Sequence, residues 1–91
     1  MAAANVITTG ATAVDSADLV VTTTPLTVCL KDAAGPVIGN GALVYISLKD
    51  DTGQYFQIAQ LTRSQPAIVL TGAGTYRCSR VAGTSCGVFS A

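Results

Sequence analysis

Twice in this chain, apolar and polar residues alternate with a period of two. Leu26, Val28 and Leu30 alternate with Thr27, Cys29 and Lys31, and Val44, Ile46 and Leu48 alternate with Leu43, Tyr45, Ser47 and Lys49. Only an extended backbone sends successive side chains to opposite faces, so these stretches must be half-buried strands. Thr and Val recur throughout residues 17–91 and suit strands, because branching at Cβ stiffens χ1 and fits a pleated surface. Turn signals punctuate the stretches: residues 32–36, Asn40-Gly41, the run Asp50-Asp51-Thr52-Gly53, and Gly72-Ala73-Gly74. Asn-Gly tolerates positive φ at both positions and reads as a hairpin turn. The segments between them give strands over 19–24, 26–31, 37–38, 42–49, 54–62, 67–71, 75–81 and 86–90. No stretch has a convincing helical period. The expectation is an all-β chain, a single antiparallel β-sandwich or small barrel with an extended N-terminal arm.

The arm is residues 1–16 and the β domain residues 17–91. The arm is rich in Ala, Thr and Gly and offers little to bury beyond Val6, Ile7 and Val14. Val6 and Ile7 therefore read as a short strand able to dock on a partner's open edge. In the domain, the alternation assigns a core of Leu26, Val28, Leu30, Val44, Ile46, Leu48, Phe56, Ile58, Ile68, Leu70 and Tyr76. The other face of the 54–62 strand then carries Tyr55, Gln57, Ala59 and Leu61, which is apolar for a face in water. Tyr45, Tyr55 and Leu61 accordingly join Val6 and Ile7 as candidate partner-binding residues.

Composition narrows the function. Of 91 residues, 49% are apolar and only 11% are charged, with five basic and five acidic side chains. So small a domain normally has a more charged surface, so copies or partners are expected to cover part of it. Zero net charge and scattered cations argue against nucleic acid. No apolar run approaches the roughly 18 residues of a membrane span. Met1–Asn5 lacks the features of a secretory signal, which predicts synthesis in the cytoplasm. With three cysteines and no such signal, Cys29, Cys78 and Cys86 are expected as free thiols, a Cys78–Cys86 bridge being the alternative.

No motif assembles a catalyst, and no enzyme activity, catalytic residue, cofactor or metal is expected. Asp51-Thr52-Gly53 matches the aspartic-protease triplet, but Lys49 and Asp50 stand where apolar residues should bury the aspartate, and Val37-Ile38-Gly39 precedes the triplet instead of following it. A hairpin turn accounts for it better. The chain has neither His nor Glu, so Ser and Cys lack their usual base. With no His and no Cys-x-x-Cys pair there is no zinc set.

Residues 66–80, centred on Leu70-Thr71-Gly72-Ala73-Gly74-Thr75-Tyr76-Arg77, resemble a pattern in small β-rich virion proteins of tailed bacteriophages. There an apolar strand turns at Gly-x-Gly into one beginning Thr-Tyr-Arg. The resemblance implies a structural virion protein, foremost a capsid decoration (cement) protein that binds and stabilises the shell. Its implied partners are the major capsid protein or another virion protein, and further copies of itself. A tail or neck component and an immunoglobulin-like adhesive module are the alternatives.

Overall fold

A computed structural model describes residues 3–32 and 38–91. Val37, together with the expected turn over 33–36, lies outside the described residues. Nine strands are described: β1 (Ala4–Gly10), β2 (Val14–Asp15), β3 (Leu19–Val21), β4 (Leu26–Lys31), β5 (Leu43–Lys49), β6 (Tyr55–Thr62), β7 (Ala67–Leu70), β8 (Gly74–Arg80) and β9 (Cys86–Ser90). They form two antiparallel sheets packed face to face. One has the order β1-β9-β4-β7; the other has β2-β8-β5-β6, with β3 also paired to β8. The all-β sandwich expected from the alternation is what forms, with no helix among the described residues.

The core lies between the sheets. Val28, Val44, Ile46, Leu61, Cys78, Cys86 and Val88 are fully buried. Both strands with the clearest alternation keep their expected faces: Val28 and Leu30 point inward from β4, and Val44 and Ile46 from β5. Tyr76 is also buried, and its hydroxyl donates to the Gly72 carbonyl at 2.7 Å. A buried phenol needs such a partner, so the Gly-x-Gly turn and the Tyr of the Thr-Tyr-Arg run are parts of one contact.

Phe56 and Ile58 require correction, for they are 53% and 52% exposed, while Leu61 is fully buried. A β-bulge causes the reversal. Ile46 pairs with Ala59 but Ser47 pairs with Gln57, so Ile58 is an extra residue. One extra residue inverts the parity of everything beyond it. Ala59 and Leu61 thereby come to the core side, and Phe56 is left at the rim, opposite Leu48.

The turns at 50–53 and 72–74 were both expected to join neighbours in a sheet; the first does and the second does not. Among the described strands, only β5 and β6 are consecutive and paired. The Gly72-Ala73-Gly74 turn carries the chain from β7 in one sheet to β8 in the other. Asn40-Gly41 forms the tight turn its sequence favours, with the Ala42 N–H donating to the Gly39 carbonyl at 3.4 Å and Gly41 at a φ of 85°; the 37–38 strand expected before it includes Val37, outside the described residues. Immunoglobulin domains place their last two strands side by side in one sheet; here β8 and β9 lie in different sheets.

The N-terminal segment folds back on its own domain. Ala4–Gly10 pairs with β9, and Ile7 is buried in the core. β2 and β3 continue along β8 to the end of the 1–16 segment and past it. The edge that β1 completes is β9 of the same chain. The approach is close enough that a Cβ on Gly87 would stand 2.7 Å from the Ile7 carbonyl oxygen.

Candidate functional site

The outer face of the β2-β8-β5-β6 sheet gathers much of the chain's charge. Lys49 ends β5, Tyr55 begins β6 and Arg77 lies in β8, all on the face that alternation turns away from the core. The break between β2 and β3 adds two carboxylates. Ser16 spans that break, its N–H donating to the Cys78 carbonyl at 2.7 Å while its hydroxyl accepts from the Cys78 N–H at 3.0 Å. Asp15 and Asp18 flank it. The Tyr55 hydroxyl donates to Asp18 at 2.6 Å, and Lys49 Nζ is 3.6 Å from the same carboxylate. The Arg77 guanidinium lies over the Tyr55 ring, 3.7 Å from its centroid, and reaches Asp15 at 3.9 Å. The Tyr55 hydrogen bond, then the charge of Lys49, hold the Asp18 carboxyl below its usual range, and the same hydrogen bond raises the Tyr55 hydroxyl. These groups engage one another across four strands, although Arg77 Nε is buried without a hydrogen-bond partner, and the result is a tie that holds the 15–18 segment on the sheet.

Asp50 is engaged in the β5–β6 turn. Its carboxylate accepts from the Thr52 N–H at 2.9 Å and the Gln54 N–H at 2.7 Å, which holds it below the ordinary carboxylate range. Gly53 takes a φ of 90°. The protease-like triplet is thus the tip of a hairpin, with Asp51 exposed at the end of the molecule. Across the far end of that hairpin, Asn40, Leu43, Gln60, Thr62 and Arg63 line a shallow open groove, and Arg63 donates to the Asn40 side-chain oxygen.

Arg80 sits inside the sandwich although it is cationic. Its Nε donates to the Thr12 carbonyl at 2.7 Å, and one terminal nitrogen donates to the carbonyls of Thr8 at 2.7 Å and Cys86 at 2.8 Å. It therefore ties β8 to β1, to the turn after it and to β9. Sequence reading counted Arg80 only among the scattered cations. Its parity with Tyr76 and Cys78 was the available signal, since residues two apart in a strand share a face.

The five residues expected to bind a partner are not one surface. Ile7 and Leu61 are in the core, and Val6 is half-buried against it. Tyr45 and Tyr55 are half-buried on the outer face, where Tyr55 is engaged by Arg77 and Asp18. The most open large apolar side chains are instead Phe56 and Ile58 on β6, Val69 on β7 and Val20 on β3. Their exposure follows from the bulge and the sheet order, neither of which the alternation encodes.

No protein-family profile and no curated protein matches the sequence. Among solved structures, the fold is similar to that of the SPBc2 prophage-derived protein YomS, with a TM-score of 0.69 at 10% identity, covering 98% of this chain and 88% of that one. At that identity the likeness is one of fold. It includes the N-terminal segment, since nearly the whole chain is superposed.

All three cysteines are free thiols. Burial pushes Cys78 up from an ordinary value of 9.0 to about 11, and raises Cys86 as well. An unfolded chain ionises these thiols at lower pH than the folded one. Their protonated burial thus contributes stability that is complete below pH 9 and is lost as pH rises from there to about 11. The denaturation midpoint is expected to fall across that window, and Cys78→Ala should flatten the fall. An unchanged slope in Cys78→Ala would contradict this assignment.

Proposed function

We propose that this chain is a structural protein of a bacteriophage particle, and specifically a capsid decoration protein that binds the assembled shell. The observation that carries the reading is the end-to-end fold likeness to a prophage-derived protein. The low charge and the open apolar side chains of β6 and β7 support it, since they offer surface for packing against protein. The role is mechanical. Copies seated at junctions between capsid subunits would bridge neighbours, so that rupture breaks several contacts together. The ionic groups fit such a part. On the outer sheet Lys49 and Arg77 pair with Asp18 and Asp15, and Arg80 donates to backbone carbonyls.

The test is restoration of shell strength. Particles assembled without this chain should rupture at lower temperature than complete ones, and adding the purified protein should restore the difference. Equal rupture temperatures with and without the protein would contradict the reading.

A further inference from the structure

The two outer faces of the sandwich differ in charge. One presents Lys49 and Arg77, paired with Asp18 and Asp15. The strands of the other sheet, β1, β9, β4 and β7, contain a single charged side chain among them, Lys31. On the outer side of that sheet Asn5, Phe89, Cys29 and Ala67 form a row straight across the four strands. Thr27 and Val69 pair on one side of the row, and Lys31 pairs with Gly87 on the other. Ala67 and Val69 are exposed, and Thr27, Cys29 and Phe89 are half-buried. Lys31 Nζ donates to the Asn5 side-chain oxygen at 3.2 Å, which draws its charge toward the β1 edge and leaves the centre neutral.

We infer that this face is a homodimer interface, in which two copies pack face to face about a twofold axis lying along the Phe89–Cys29 row, across the strands. Two stacked sheets with their outer side chains are about 20 Å thick, the shortest of the molecule's 35 × 27 × 20 Å dimensions. Each broad face is therefore 35 × 27 Å. A specific interface takes about 800 Å² from each partner, which is most of one such face. Charge then names a second copy as the occupant. A face with one cation and no anion gives a charged partner little to pair with, whereas a copy brings the same neutral centre. Register fixes the axis. Thr27, Cys29 and Lys31 share one face of β4, whose pairing with β7 and β9 is unbroken. A twofold along the row sets Cys29 over Cys29 and each Lys31 over the other copy's Thr27, so the two lysines stand at opposite ends. An axis along the strands would bring both lysines together inside the interface, where like charges repel most strongly. This inference does not rest on the virion reading.

Sedimentation of the purified full chain over a concentration series tests it. The wild type should pass from monomer to dimer with a dissociation constant on the order of ten micromolar. Thr27→Lys should weaken association at least about tenfold, because each new ammonium meets the other copy's Lys31. Thr27→Asp changes the same position with the opposite sign, and should dimerise about tenfold more tightly than Thr27→Lys. Val20→Lys, at an exposed position of the other sheet, should leave dimerisation unchanged. A short bis-maleimide should link two copies through Cys29, the cysteine that is not buried, each thiol adding across one maleimide double bond. Cys29→Ser should give no linked product. A wild type that stays monomeric up to about 1 mM would overturn the proposal. So would equal dimerisation of the folded Thr27→Lys and Thr27→Asp variants, loss of the dimer in Val20→Lys, or a wild type that the bis-maleimide does not link. The readout needs no capsid, so its failure is separate from failure of shell binding.

Discussion

Replacing Leu61 by alanine is expected to destabilise the fold by roughly 2–5 kcal/mol, the range for truncating a large aliphatic side chain inside a packed core. Leu61 is wholly buried and pairs with Val44, itself wholly buried, so no water can enter to soften the cavity. Phe56→Ala, in the same strand, should cost about 1 kcal/mol or less, since half of that ring already faces water. The pair of substitutions reads the bulge directly. A strand of unbroken alternation predicts the opposite order, with Phe56 costly and Leu61 cheap. Denaturant titration of the two variants decides between them, and a larger loss in Phe56→Ala would mean that the bulge at Ile58 is absent.

The second large effect is expected at Arg80. Arg80→Met keeps much of the aliphatic stem and removes the guanidinium, leaving the carbonyls of Thr8, Thr12 and Cys86 without their donor. Hydrogen bonds from a charged donor are worth about 1.5–3 kcal/mol each but do not add when one group makes them all, so a total loss of roughly 3–5 kcal/mol is expected. The loss should be local first. Thr8 and Thr12 bracket the end of β1, so amide exchange in Ala4–Gly10 should accelerate more than in β4 or β5. Uniform acceleration across all strands would contradict the clamp and make Arg80 an ordinary core residue.

What the sequence made legible was local. Alternation identified β4 and β5 and their inward faces, because a half-buried strand writes its period into four or more consecutive residues. It misread the far half of β6, because a bulge adds a residue without changing composition. It took Gly72-Ala73-Gly74 for a hairpin, because a glycine that permits a sharp reversal does so equally between sheets and within one. The N-terminal strand was read as an arm for a partner because Val6 and Ile7 alone bury little. Its place in the sheet depends on Arg80 and Gly87, distant in the chain, and such long-range pairings leave no local pattern. The Tyr55–Asp18–Arg77 tie was missed for the same reason, as its members come from β6, β8 and the break between β2 and β3. Pairings so distant in sequence also predict slow folding for a chain of this size.

The central claim is that this sandwich works as a bound part of a phage shell. Electron cryomicroscopy of the intact particle that carries the chain tests it most directly. The account predicts density fitting this two-sheet domain in symmetric copies on the outside of the capsid, seated over junctions between major capsid subunits. Density for the domain found only in the tail or neck, or a complete particle with none, would contradict it.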